Sequence, residues 1–413
     1  MSIIKDPKLV ISGQRKIEWV EDYMPTLTKI GKEFAKDQVF SGYKIGLSIH
    51  MEAKTAYLAT VLRDAGAEVY ATGCNPLSTQ DDVAAALSAK ENIKVYAIHG
   101  INEAGYRQHL NAVLANHPDL IIDDGGDLLE AYRNLPTDEL WPVIGGCEET
   151  TTGIHRLKAL EKQRSLPFPM VDVNDAKCKH FYDNKYGTGQ SVWDAIMHTT
   201  NTLVAGKIVV VAGYGYCGRG IAMRARGMGA KVIVTEIDPV KAIEANLDGF
   251  EVMPMDDASF IGDYFITATG CEYVITKHHF SNMKNNAFLA NAGHFDVEIS
   301  VKDLKEISRH AKVRRNGIVG YKLDNGRTLN LLAEGRLVNL AAGDGHPAEI
   351  MDMSFSLQIL GLKYLIDHKD TLEHKIYDIP REIDDYVAKT KLEAMGIKID
   401  TLTEAQCEYL ALD

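Results

Sequence analysis

Apolar side chains recur along this chain in two rhythms, and the alternation between them predicts its architecture. Near the N-terminus Val20, Met24, Leu27, Ile30 and Phe34 fall at steps of three and four, one face of an amphipathic helix. Short β-rich runs follow at Ile45–Ile49, Glu68–Tyr70, Val95–Ile98, Leu120–Ile122 and Pro142–Ile144, separated by helical stretches such as Thr55–Ala65 and Asp82–Ala89. Alternation of this kind implies parallel strands joined by crossover helices, hence an open α/β sheet. A second α/β pattern begins near residue 190.

In such sheets ligands sit beyond the carboxyl ends of the strands. Polar residues gather there: Ser48–His50 closes one predicted strand, Asp123-Asp124-Gly125-Gly126-Asp127 another, and Glu148-Glu149-Thr150-Thr151-Thr152 a third. Any one of these reads equally well as a solvated loop or a helix cap. Three in one sheet point to a site.

In the second pattern, strand Lys207–Ala212 runs into Gly213-Tyr214-Gly215-Tyr216-Cys217-Gly218, then a helix, then a β-rich run Val232–Thr235 that ends at Glu236. This is GxGxxG in its required context, with an acidic residue about 20 positions on. Gly213 permits the tight turn, Gly215 lets backbone N–H groups approach a pyrophosphate, and Gly218 lets the helix lie close on the strand. Glu236 suits ribose hydroxyls and repels a 2′-phosphate, so NAD is expected rather than NADP. The fold class is therefore α/β, with two Rossmann-like open parallel-sheet domains. Later runs Tyr264–Ala268 and Ala287–Asn291 fit further strands of the second.

After Pro347, Ile350, Met353, Leu357, Leu360 and Tyr364 repeat at three and four. A buried core helix that returns to the first domain, as a hinge, is the expectation. The segment from Pro380 is charged and helical in pattern, and reads as an exposed or intersubunit arm. The expected division is 1–183 with 347–379 as substrate domain, 190–345 as NAD domain, and 380–413 as an oligomerisation arm.

Composition narrows the function classes. The chain has 413 residues, 46% hydrophobic and 25% charged, which excludes intrinsic disorder. Its net charge of -12 disfavours nucleic acid and anionic membrane as partners. Six cysteines with no CxxC pair read as reduced thiols, no metal site is expected, and neither a signal peptide nor a membrane helix is legible. The expectation is a cytoplasmic protein.

The run Asn174–Asn184, just before the second domain, supplies lysines and acids to an interdomain cleft, where small-molecule sites commonly lie. Lys179 and Asp183 are four apart, where a surface ion pair is the plainer reading. The chain resembles the S-adenosylhomocysteine hydrolase family over nearly its whole length. The resemblance runs through His50-Met51, Asn75 with Ser78-Thr79-Gln80-Asp81, Asp123 to Asp127, Glu148 to Gly153, Asn174-Asp175, Asp183-Asn184, the GYGxxGxG loop, Gly293-His294-Phe295-Asp296, Leu332 to Arg336, and Asn339 with Gly345-His346-Pro347.

That resemblance implies a redox-neutral hydrolysis with NAD: oxidation of the ribose 3′-hydroxyl, elimination of the 5′-thiol of homocysteine, addition of water, and reduction back to the alcohol. It places Lys179 and Asp183 at the 3′-hydroxyl, Lys179 as a base whose pKa must be depressed. Asp124, Glu149 and His50 serve proton transfer at C4′ and the departing thiolate. Asn184 and His294 line the redox centre, and His346 lies near the base end of the nucleoside. Glu52, Lys54 and Thr55 join the substrate set. The implied cofactor set is Thr150, Thr151, Thr152, Asn184, Gly213, Gly215, Tyr216, Cys217, Gly218, Glu236, Thr269, Gly270, Ala292, Gly293, His294, Asn339 and His346. A homotetramer acting on a nucleosyl-homocysteine is also implied.

Three departures from the family pattern carry expectations. Thr188 stands where cysteine is common, so a thiol there is dispensable. The chain ends at Asp413 without a Lys- and Tyr-bearing extension, so easier cofactor exchange is expected. After His50-Met51 come Glu52 and Lys54 in place of threonine and then glutamate or glutamine. Hypoxanthine offers an N1–H donor and a 6-oxo acceptor, the reverse of adenine, so an acceptor at 52 and a donor at 54 favour S-inosylhomocysteine. The plainer reading is a weak surface pair. Adenosyl specificity, an ordinary NAD-dependent dehydrogenase and a non-catalytic NAD-binding regulator are the competing functions.

Overall fold

A computed structural model of the chain describes residues 1–410. Two eight-stranded sheets organise it. The first contains β1 (Ile3–Ile4), β2 (Lys44–Ser48), β3 (Glu68–Thr72), β4 (Ile93–Ala97), β5 (Leu120–Asp123), β6 (Gly145–Glu148) and β7 (Met170–Asp172). The second contains β8 (Ile208–Ala212), β9 (Lys231–Thr235), β10 (Glu251–Val252), β11 (Tyr264–Thr267), β12 (Phe288–Asn291), β13 (Ser308–Arg315), β14 (Ile318–Leu323) and β15 (Thr328–Leu332). The last strand, β16 (Ile376–Asp378), returns to pair with β7 in the first sheet.

The orders are β1-β4-β3-β2-β5-β6-β7-β16 and β10-β9-β8-β11-β12-β15-β14-β13. Pairing is parallel except at β13–β14–β15, whose neighbours run antiparallel. Each order reverses beside one strand. In the first sheet β2 lies between β3 and β5, and in the second β8 lies between β9 and β11, so the crevices open at the carboxyl ends of β2, β5 and β8.

Two segments differ from the expected pattern. The N-terminal apolar stripe spans two helices, Val10–Asp22 and Pro25–Asp37, because Pro25 lacks an N–H and begins a new first turn. The N–H groups of Thr26 and Leu27 in that turn are capped by the Asp352 carboxylate at 3.1 and 2.8 Å. The strand expected at Pro142–Ile144 lies at Gly145–Glu148. Two glycines disguise it. A Cβ on Gly145 would meet Leu365 at 2.7 Å, and one on Gly146 would meet Ile121 at 2.5 Å, so close packing excludes the β-branched residues that mark strands.

Helix Ala348–Asp367 leaves the second sheet's side and buries Met351 to Leu365 in the core of the first. Helix Arg381–Ala394, in the segment expected as an exposed or intersubunit arm, packs one face there too: Asp384 accepts from the N–H groups of Lys177 and Cys178, both at 2.9 Å, and Val387 is fully buried. Among the described residues no helix is long and apolar enough to cross a membrane. Residues 411–413 of the expected arm lie outside the described residues.

Candidate active site

His50, Asp124 and Glu149 follow β2, β5 and β6 and meet at the first crevice, all buried. His50 Nε2 stands 3.4 Å from Asp124 Oδ2, and His294, from the second sheet, places Nδ1 3.7 Å from Asp124 Oδ1. Ser78 orients the first imidazole. Its hydroxyl lies 2.9 Å from the Asn75 carbonyl, to which it donates, leaving its oxygen to accept from His50 Nδ1 at 2.7 Å. Burial brings the His50 pKa down to about 4 against the pull of Asp124, so the ring is neutral and its Nε2 is a base. Ligand atoms of His50, Asp124 and His294 lie within 4.8 Å of one another, close enough to share a metal ion, although the expectation is none.

Glu149 links this group to a second one. Lys179 Nζ is 3.7 Å from Glu149, 3.5 Å from Asp183 and 2.9 Å from the Asn184 amide oxygen. Asp183 also accepts from Ser354 at 2.8 Å and meets His346 Nδ1 at 2.9 Å. The Lys179–Asp183 pair is therefore buried, not the surface pair that its spacing first suggests. A π-helical turn, Asp183–Gly187, carries Asp183 and Asn184 inward; such turns recur at functional sites.

The charges differ from expectation. Burial acts to lower the Lys179 pKa, but the Asp183 carboxylate, joined by Glu149 once that group ionises, outweighs it and holds the ammonium above its usual range. Burial likewise acts to raise Asp183, and Lys179 and His346 outweigh it, keeping the carboxylate ionised. Glu149 is pushed up to about 8 by burial, against Lys179, and is an acid at neutral pH. A depressed Lys179 is thus absent here.

In the second half, Gly213 has φ +94, and a Cβ on Gly218 would lie 1.9 Å from the Gly213 carbonyl. A Cβ on Gly215 meets nothing within 4 Å, and Gly215 starts helix Tyr216–Gly227 without a side-chain cap. Open space before uncapped N–H groups suits a pyrophosphate. Glu236 accepts from the N–H groups of Tyr214, Ile237 and Asp238 at 2.7 to 3.0 Å, which fixes its carboxylate beside the loop with capacity remaining. Glu298 accepts from Thr269 and Gly270 N–H, both at 2.9 Å, and thereby shapes that loop. Asn339 donates to Ser191 at 3.0 Å, while its buried Oδ1 has no partner among the described residues and can accept from a ligand. These residues fit a dinucleotide.

Other expected contacts are distributed unevenly. Ala292 and Gly293 are buried beside His294, and Tyr216 packs edge-on against His180 at 4.2 Å, joining the two halves. Thr150 is tied to Glu148 and Thr151 to Asn174, with Thr152 half-buried in the same helical turn. His346 faces Asp183 and Thr188 Oγ1, the latter at 3.2 Å. It is the Asp344 carbonyl of the same turn that meets Lys54, at 2.8 Å. Thr188 is also 3.6 Å from the Cys217 thiol, so a thiol does line this part of the cleft, supplied by the glycine loop.

Glu52 and Lys54 are 4% and 5% exposed and pair at 2.7 Å, so a weak surface pair is ruled out. Thr55 is buried against Glu52. Residue-by-residue reading missed Ser78 as the support of His50, Ser354 on Asp183, and Gln358, whose amide donates to Glu149 at 2.5 Å. The last two lie on helix Ala348–Asp367, where their sole signal is a polar residue inside an apolar stripe.

Fold and site together define a dinucleotide-dependent enzyme with an acid–base set at the mouth of the first sheet and a dinucleotide loop on the second. Residues 2–140 match the model described as S-adenosyl-L-homocysteine hydrolase, and residues 184–345 match the NAD binding domain of that hydrolase. The chain belongs to the S-adenosyl-L-homocysteine hydrolase family, enzymes that hydrolyse a nucleosyl-homocysteine with NAD as cofactor. It is 54% identical over 407 residues, 98% of each chain, to a protein of Methanocaldococcus jannaschii named S-inosyl-L-homocysteine hydrolase. It is 56% identical over 399 residues, 97% of this chain and 98% of the other, to the adenosylhomocysteinase of Thermotoga maritima. An S-inosyl-L-homocysteine hydrolase of Methanococcus maripaludis is 52% identical over 411 residues, 100% of this chain and 99% of the other.

Proposed function

We propose that this enzyme hydrolyses S-inosyl-L-homocysteine to inosine and L-homocysteine in preference to the adenosyl compound. Relatives of both names are about equally similar, so the reading is carried by the buried Glu52–Lys54 pair. The Lys54 ammonium has three N–H donors, of which Glu52 and the Asp344 carbonyl take two. Glu52 Oε1 has only the long contacts to Thr55, at 3.3 and 3.4 Å. One donor and one acceptor thus remain, matching the 6-oxo group and N1–H of hypoxanthine. Adenine leaves both facing a group of their own kind.

The chemistry NAD supplies, when bound at the glycine loop, is a reversible oxidation at the ribose 3′-carbon that acidifies C4′–H. Lys179 and Asp183 act as a unit at the 3′-hydroxyl: the carboxylate accepts its hydrogen bond and takes its proton during the oxidation, returning it on reduction, and the ammonium stabilises negative charge developing on that oxygen. His50 and Asp124 form the basic side of the C4′ site, and protonated Glu149 forms the acidic side. The departing thiolate takes up a proton, and water supplies hydroxyl to C5′ and hydrogen to sulfur over the whole reaction. An ordinary dehydrogenase would accumulate NADH with product, and a non-catalytic regulator would have no use for this acid–base set.

The test is release of free thiol from each compound supplied separately. Two mismatched buried groups cost about 2–6 kcal/mol, so the inosyl compound is expected to react roughly 30-fold to 10⁴-fold faster in kcat/KM. Faster release from the adenosyl compound would overturn the reading. Glu52→Thr with Lys54→Glu should move the ratio toward adenosyl.

A further inference from the structure

The tips of three adjacent parallel strands carry a row of buried acids one residue before the site. Asp123 of β5 is the register partner of Glu148 of β6, and Glu148 is the partner of Asp172 of β7. All three are at most 1% exposed. Successive side chains alternate across a sheet, so this row does not share the positions of Asp124 and Glu149.

Glu148 is the most connected of the three. Its Oε1 accepts from Gly125 N–H at 2.8 Å, from Thr150 N–H at 3.0 Å and from the Thr150 hydroxyl at 3.1 Å. Gly125 directly follows Asp124, and Thr150 directly follows Glu149. One oxygen atom therefore joins both loops. Space for it exists because position 153 is glycine, where a Cβ would lie 2.1 Å from the Glu148 carboxyl carbon. Gly125 has φ +100, and a Cβ there would lie 2.4 Å from His294 Nε2, so the loop that Glu148 holds is also the one His294 packs on. Among the described residues the buried Oε2 has no partner.

We propose that Glu148 is a positioning residue of the hydrolase, neutral in the working enzyme, whose carboxyl ties the two strand-tip loops together and so sets Asp124 and Glu149 in place. This rests on reading Asp124 and Glu149 as acid–base residues. Three carboxyls abreast in a dry layer cannot all ionise, because the central one would have like charges on both sides. Around Glu148 stand Asp123 and Asp124 on one side, Asp172 on the other, and Glu149 next in the chain. On the helix that follows, Arg156 is committed to Asp127, Glu130 and the Gly125 carbonyl. Burial, then Asp123 and Asp124, push the Glu148 carboxyl well above its usual range. A neutral carboxyl offers its carbonyl oxygen to the three donors and keeps its proton on Oε2.

Glu148→Gln keeps the accepting oxygen and removes the titrating group. Its kcat at neutral pH is expected within about threefold of the parent's, and the infrared absorption of protonated carboxyls at neutral pH should lose one carboxyl's share, that of Glu149 remaining. Glu148→Ala releases the donors of both loops, and kcat should fall about 10²-fold while KM changes little, because misplacement acts on the reacting groups. The proposal fails if the glutamine variant is as impaired as the alanine one, if the alanine variant keeps the parent's kcat, or if the protonated-carboxyl absorption of the glutamine variant equals the parent's. Asp124→Asn and Glu149→Gln test the underlying reading separately. Full kcat in both would remove that reading whatever Glu148 does.

Discussion

At the scale of single residues, burial sets the protonation of this site more than residue type does. Glu149 keeps its proton up to about 8. As an acid it acts only below that value, so kcat is expected to decline as pH rises past it. Glu149→Gln should remove this alkaline limb and lower kcat by roughly 10²-fold to 10⁴-fold, measured as kcat across the pH range. A limb that persists unchanged in the variant would assign it to another group. Lys179 shows why charge is hard to read from a sequence. Spacing alone pairs it with Asp183 on a surface, whereas burial of both makes the attraction strong enough to outweigh desolvation.

At the scale of elements, backbone proximity positions the glycine loop. Helix Thr188–Thr200 and helix Tyr216–Gly227 touch through glycines: a Cβ on Gly189 would lie 2.6 Å from the Gly220 carbonyl, and one on Gly220 would lie 1.9 Å from the Lys185 carbonyl. The latter contact fastens the glycine-loop helix to the π-helical turn bearing Asp183 and Asn184. Gly220→Ala is expected to cost about 1–3 kcal/mol in urea unfolding and to weaken NAD retention, read by fluorescence after dialysis. Unchanged stability and retention would show that the helices separate freely. Glycines also hid β6, whose tip bears Glu148, because a strand identified by β-branched residues is invisible where packing demands none.

At the scale of the whole molecule, a buried carboxylate helps hold the chain's return to the first sheet. Asp352, fully buried on the returning helix, accepts from Thr26 and Leu27 N–H and pairs with Lys391 at 2.9 Å. Segments far apart in sequence thus share one charge. Asp352→Ala leaves Lys391 and two helix N–H groups without their partner, and a loss of about 3–5 kcal/mol is expected in urea unfolding. A change below about 1 kcal/mol would mean that water replaces the carboxylate without penalty.

The sequence by itself determined the parallel-sheet class, the glycine loop with Glu236, and the polar residues at strand ends. Those features are local: periodicity, turn chemistry and strand-to-loop order are written within a few neighbouring residues. The pairing of His346 with Asp183, of Lys54 with the Asp344 carbonyl and of Cys217 with Thr188 was decided only in three dimensions. So were the row Asp123–Glu148–Asp172 and the support that Ser78, Ser354 and Gln358 lend the site. Each depends on which strands are neighbours and on how deeply a charge is buried, and both follow from packing between segments that no local pattern connects.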